Sequence, residues 1–124
     1  MSEEIKLYAV YGSLKRGFGN NRLLQNKDAK FVGTTKTKAK FSLYSLGGFP
    51  GIKNDGKTAV EIEVFDVKTP ELEARLDMLE GYGGVNSRHN MYNKEVIDTE
   101  FGKAFIYTYN GRVSEERFIK AGKW

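Results

Sequence analysis

Between Lys6 and Tyr11 the chain runs Leu7-Tyr8-Ala9-Val10, apolar at nearly every position, as expected for a strand buried on both faces. From Ala59 to Val67 the pattern alternates instead, with Val60, Ile62 and Val64 interleaved with Glu61 and Glu63, so one face is core. A longer extended stretch covers Lys30 to Leu46, bent or broken near Gly33, where Thr34, Thr35, Thr37, Phe41, Leu43 and Tyr44 favour strand. Met91 to Ile97 and Lys103 to Tyr109 predict two more strands, joined as a hairpin through Glu100-Phe101-Gly102. Between these strand patterns the period lengthens. Leu72, Leu76 and Leu79 recur at helical spacing behind Thr69-Pro70, a cap followed by proline at the first helical position, and Gly81 stops the helix.

Shorter elements fill the remainder. Residues 20–25 predict one or two helical turns opened by an Asn cap, Gly47 to Gly51 a loop, and Gly83 to Arg88 a mobile loop. Val113 to Trp124 is expected to lie over the sheet as a short turn or helix, with Trp124 plugging the core. No repeat, proline-rich linker or low-complexity tract divides the 124 residues. The expected fold is α+β: one domain over residues 1–124, a curved mixed β-sheet or partial barrel carrying a few short helices.

Composition narrows the chemistry. With no cysteine, disulfides, thiolate nucleophiles and Cys-type zinc sites are excluded, and a single histidine leaves no metal-ligand spacing. The net charge of +4 draws on Lys27, Lys30, Lys36, Lys38 and Lys40. The run Lys36-Thr37-Lys38-Ala39-Lys40 reads as an alternating strand with lysines outward, where they discourage edge pairing, in preference to a nucleic-acid patch. Met1-Ser2-Glu3-Glu4 is acidic and lacks a basic-then-apolar signal pattern, and no run approaches the ~18 apolar residues of a spanning helix. A soluble, cytoplasmic protein without membrane association is the expectation.

Two segments carry candidate chemistry. Val10-Tyr11-Gly12-Ser13-Leu14-Lys15 ends an apolar strand in a tight turn, leaving successive backbone N–H groups aimed into one small space, which suits a carboxylate or a developing oxyanion. On a helical projection with Leu72 at zero, Leu76 falls near about +40° and Leu79 near about −20°, defining the buried stripe. Glu80 falls at about +80°, on the shoulder of that stripe, and Asp77 at about +140°, toward solvent. Desolvation and the negative helix end both push the Glu80 carboxyl up, toward the range of a general base. A salt bridge from Glu80 to Arg75 or Lys94 is the alternative role. Ser13 has no His partner, so its hydroxyl is read as binding substrate or bracing the turn. His89 is placed on a solvated loop, and Tyr107 and Tyr109, on one strand face, as core or pocket wall.

Taken together these segments resemble the gamma-glutamylcyclotransferase-like superfamily, especially its short branch of gamma-glutamylamine cyclotransferases and avirulence-induced proteins. The carrying motifs are Tyr11-Gly12-Ser13-Leu14-Lys15, the strand Val60 to Val67, Leu76-Asp77-Met78-Leu79-Glu80-Gly81-Tyr82, Tyr92-Asn93-Lys94, Tyr107-Thr108-Tyr109 and Ile119-Lys120-Ala121-Gly122-Lys123-Trp124. The resemblance implies a gamma-glutamyl amide or related anionic ligand, cyclised to 5-oxoproline as its own α-amine displaces an amine, with no metal or organic cofactor. Glu80 would shuttle the proton, the Tyr11 to Lys15 turn would form the anion and oxyanion site, and Tyr11 and Tyr92 would wall the pocket. Lys94 stands where the family has arginine, so the resemblance implies a substrate-binding residue there, a point charge in place of a bidentate fork; Ile62 stands where the family usually has glycine. Glu63 fits either the site or buried structure. A second reading keeps the pocket without turnover, as a module that sequesters a small ligand or contacts a protein.

Overall fold

The computed structural model describes residues 5–84 and 89–124. The Met1–Glu4 segment and residues 85–88 of the expected mobile loop lie outside the described residues. In chain order the strands and helix are β1 (Leu7–Val10), β2 (Ala29–Lys36), β3 (Phe41–Ser45), β4 (Pro50–Thr58), β5 (Glu61–Val67), α1 (Pro70–Leu79), β6 (Tyr92–Thr99) and β7 (Gly102–Tyr109). Short 3-10 helices occupy Gly19–Leu24 and Glu115–Arg117.

The doubly apolar β1 takes the central place that its sequence demands. It runs antiparallel to β5 and parallel to β7 in a mixed five-stranded sheet of order β2-β5-β1-β7-β6. On one face, Ala9, Ile62, Val64 and Ile106 pack under the β3–β4 hairpin, which contributes Phe41, Leu43 and Ile52. On the other, Tyr8, Val10, Phe65 and Tyr107 pack under α1 through Leu72 and Leu76. The sheet curves without closing: the β6–β7 turn lays the Phe101 ring so tightly on Gly33 of β2 that a Cβ there would sit 2.5 Å from Phe101 Cζ.

Three elements differ from the sequence reading. The stretch from Lys30 to Leu46 is two strands in two sheets, and the break falls at residues 37–40; only a register shift marks Gly33. Buried Thr37 makes the break, since its backbone N–H donates to Val60 O at 2.9 Å and its Oγ1 accepts from Val60 N at 2.9 Å. Polar Lys53 to Thr58 extend β4, confining the expected loop to a turn closed by Leu46 N donating to Phe49 O at 2.8 Å. The expected Asn cap does not form: the residue before the Gly19–Leu24 helix is Phe18, whose ring has no acceptor, and Asn20 lies inside it with its side chain donating to Ser13 Oγ. The C-terminal segment does lie across the hairpin side, tied by Ile119 N to Leu43 O at 2.7 Å and by Glu61 N to Gly122 O at 2.7 Å. Trp124 ends half-buried outside both core clusters. No helix among the described residues is long and apolar enough to cross a membrane.

Candidate active site

Where β1 runs out, the chain turns through residues 12–15, closed by Lys15 N donating to Gly12 O at 3.0 Å. Among the described residues, no acceptor takes the amide N–H of Gly12, Ser13 or Leu14. They border a cavity of about 370 Å³ that Leu79 and Glu80, at the end of α1, also line. Gly12 permits that shape. A Cβ there would sit 2.6 Å from Cγ of Pro50, so only glycine lets the β3–β4 turn close over the strand end. The turn is braced from the side by Asn20, which donates from Nδ2 to Ser13 Oγ at 2.8 Å and from its backbone to Ser13 O at 3.0 Å.

Glu80 reaches the same cavity because of local helix signals. Thr69 Oγ1 accepts from Leu72 N at 3.2 Å, Pro70 opens the helix, and Gly81 ends it at φ 65°. Leu72 and Leu76 are buried as expected, but Leu79 is 41% exposed at the cavity edge. The Glu80 carboxylate has no hydrogen-bond or ion-pair partner among the described residues, so the bridge to Arg75 or Lys94 does not form. Burial raises its pKa from 4.5 to about 7. Of the described lining residues it alone carries a charged side chain.

Three tyrosines complete the walls as hydrogen-bonded scaffold. Tyr11 donates its hydroxyl to Tyr107 O at 2.8 Å and accepts from Ile52 N at 3.1 Å, joining β1, β7 and β4. Tyr92 donates to Pro50 O at 2.6 Å. Burial is the main cause raising the Tyr11, Tyr92 and Tyr107 phenols, and the Glu80 carboxylate adds to it in each case. They therefore stay protonated near neutrality, leaving Glu80 as the wall group poised to exchange a proton there.

Tyr11, Gly12, Ser13, Leu14, Glu80 and Tyr92 thus meet at one cavity, whereas Lys15, Glu63 and Lys94 stand outside it. Closing the turn sends the Lys15 side chain backward, where it is 2% exposed with Nζ 4.0 Å from Glu61 Oε1. Glu63 serves the turn from behind: its Oε1 accepts from Arg16 N at 2.7 Å, and its Oε2 lies 3.5 Å from Arg16 Nε. Lys94 is drawn under α1 by Asp77, at 3.0 Å, among the rings of Tyr8, Phe105 and Tyr107. Asp77 therefore faces the sheet and not solvent. Ile62, the other departure from the resembled pattern, is fully buried in the hairpin-side core.

Sequence reasoning missed Asn20, Met91 and the wall made by Gly48, Phe49 and Pro50. The available signal was an aromatic-proline pair inside a glycine-rich turn, with Phe49 left 37% exposed. His89 lies in an exposed turn. Among the described residues no group of three or more His, Asp or Glu is arranged to hold a metal ion.

Residues 8–124 match the model of the family described as gamma-glutamyl cyclotransferase, AIG2-like. A Vibrio cholerae protein with a provisional gamma-glutamylcyclotransferase name is 35% identical over 118 residues, 95% of this chain and 94% of that one. The gamma-glutamylcyclotransferase family protein YtfP of Escherichia coli is 34% identical over 115 residues, 93% and 92% of the two chains. Its solution structure aligns with a TM-score of 0.66 over 95% of each chain. The crystal structure of protein PH0828 from Pyrococcus horikoshii aligns with a TM-score of 0.75 at 27% identity, over 97% of this chain and 89% of that one. The chain, with its mixed sheet, few helices and cavity at the end of β1, belongs to the gamma-glutamyl cyclotransferase, AIG2-like family.

Proposed function

We propose that the protein cyclises a gamma-glutamyl amide to 5-oxoproline and a free amine, with Glu80 as the acid/base. The supporting observation is an unpaired, desolvated carboxylate sharing one cavity with three unpartnered backbone N–H groups. Ionised Glu80 takes a proton from the substrate's α-ammonium, and the freed amine attacks the γ-carbonyl carbon, forming the new C–N bond. The carbonyl oxygen becomes an oxyanion cradled by the amides of the 12–14 turn. Glu80 then returns the proton to the departing nitrogen as the original amide bond breaks, so the carboxylate is regenerated. The ring nitrogen sheds a second proton to become a neutral lactam, and that proton passes to the released amine, which leaves as its ammonium. Ring closure needs no second reactant, and a cavity that holds the folded-back conformer supplies most of the entropic advantage.

Incubation with gamma-glutamyl amines and gamma-glutamyl dipeptides, followed for 5-oxoproline, tests the reading. Product from wild type and its loss in Glu80→Gln is the expected result. Undiminished turnover in Glu80→Gln would remove the carboxylate from the mechanism. Tight ligand binding without product from either protein would instead make this a binding module.

A further inference from the structure

One side of α1 carries a polar strap that the proposed reaction does not use directly. Glu73 and Asp77 are four residues apart, hence on the same helix flank. Each accepts a hydrogen bond from a tyrosine of the sheet: Tyr8 hydroxyl to Glu73 Oε1 at 2.9 Å, and Tyr107 hydroxyl to Asp77 Oδ1 at 2.6 Å. Lys94 Nζ donates to the same Asp77 oxygen at 3.0 Å while packed 4.4 Å above the Phe105 ring and 4.9 Å above that of Tyr8. A short phenol bond and an ammonium bond converging on one half-buried carboxylate oxygen form a strong, directional fixing point.

Its location gives it a consequence. Asp77 lies three residues before Glu80, in the last turn of the helix. The outer side of that turn is loosely packed, with Met78 81% and Leu79 41% exposed. Side-chain anchoring therefore comes from buried Leu76 and from Asp77, beside the backbone bonds Glu80 N to Leu76 O at 3.0 Å and Tyr82 N to Asp77 O at 2.9 Å. Tyr107, at the other end of the bond, also lines the cavity. The bond therefore joins the helix turn that precedes Glu80 to a second residue of the cavity wall.

We propose that Asp77, held by Tyr107 and Lys94, is a positioning residue that fixes the last turn of α1 so that the Glu80 carboxylate is kept inside the cavity. The inference of a catalytic consequence rests on the cyclotransferase reading; the positioning itself does not. Without the clamp the last turn frays, Glu80 gains solvent, and its carboxyl returns toward ordinary carboxylate acidity.

The test is carboxyl-detected NMR titration of Glu80 in wild type, Asp77→Ala, Asp77→Asn and Tyr107→Phe, each below its melting temperature, with 5-oxoproline kinetics alongside. In Asp77→Ala the midpoint drops from about 7 toward 4.5, and kcat falls by roughly 10²-fold with a smaller change in KM. Asp77→Asn keeps an acceptor for the phenol and recovers most of both. Tyr107→Phe, which retains the ring and the Lys94 bond, falls between. A Glu80 midpoint that stays near 7 in folded Asp77→Ala and Tyr107→Phe overturns the positioning role, whatever the activity. If wild type releases no 5-oxoproline but the midpoint still moves, the reaction is wrong and the clamp stands.

Discussion

The two faces of the central sheet are both buried, but they are built from different chemistry. Under the β3–β4 hairpin the core is aliphatic apart from Phe41 and Tyr11, and no charged group enters the cluster. Under α1 it contains Tyr8, Tyr92 and Tyr107, flanked by Tyr82 and Tyr109, with Glu73, Asp77 and Lys94 bonded at its margin. The first face gains stability by excluding water from close-packed methyl groups. The second carries partly buried polar and charged groups at its margin, and burial alone raises the Glu80 carboxyl beside it. Tyr11 connects the two at the end of β1, its ring on the hairpin side and its hydroxyl on a carbonyl of β7. The cavity opens where dry scaffold and polar face meet.

That contrast predicts separable effects, the largest on the polar face. Glu80→Gln should lower the cyclisation rate by about 10²–10⁴-fold, the usual contribution of a positioned proton shuttle. The wild-type rate should climb about tenfold per pH unit on the acid side and level off above about pH 7, as Glu80 ionises. A pH–rate profile of 5-oxoproline release should show that limb in wild type and its absence in the variant. On the dry face, Leu43→Ala removes a fully buried side chain and should cost about 2–5 kcal/mol in denaturant unfolding. The midpoint of the activity limb should not move, since Glu80 lies outside that cluster and the one phenol in it, Tyr11, stays protonated across this pH range. A shifted limb in Leu43→Ala would mean the faces are not independent.

Next in size is the stability cost of burying Glu80. Folding raises this carboxyl from 4.5 to about 7, so the native state binds its proton more tightly than the unfolded chain does. The group's penalty is absent below about pH 4.5, grows as pH rises, and is complete above about pH 7. Its size is at most about 3 kcal/mol. Relative to wild type, Glu80→Gln should gain up to that amount between pH 4.5 and 8. Parallel chemical denaturation at both pH values measures the change, and a constant difference would place the carboxylate in water.

Legibility from sequence followed how local each cause was. β1 was readable because both faces announce themselves within four residues, and Glu80 because a helical projection needs only the helix itself. β4 drew no strand expectation, because Lys53 to Thr58 is polar throughout and shows no apolar alternation. Asn54, Asp55 and Gly56 lie in the break of the β3–β4 register, between the pairs Ser42–Lys53 and Phe41–Thr58, with Gly56 N donating to Lys40 O at 3.1 Å and no room for a Cβ beside Phe41. Asp77 was projected toward solvent because its partner, Tyr107, is thirty residues distant and reaches it only once the sheet has formed. Lys94, a substrate contact by resemblance, and Glu63, open between site and buried structure, lie outside the cavity for the same reason. Each is claimed by a charge from another element, Asp77 for the lysine and Arg16 for the glutamate.

Lys15 offers the finest test of the boundary between cavity and scaffold. As part of the anion-binding turn it would meet substrate, but its ammonium lies on the far side of the turn with Glu61 as nearest carboxylate, at 4.0 Å. Desolvation lowers its pKa, with Glu61 and Glu63 opposing the shift, so burial of this charge is incompletely compensated. Lys15→Met keeps the length and apolar stem, removes that desolvation cost, and leaves Glu61 within 3.9 Å of Lys123. Unfolding stability should therefore stay within about 1.5 kcal/mol of wild type. The KM for a gamma-glutamyl amide should change by no more than about twofold, because an interaction absent from the bound complex cannot weaken it. A tenfold rise in KM, with kcat preserved, would return the ammonium to the substrate's carboxylate and redraw the cavity around it.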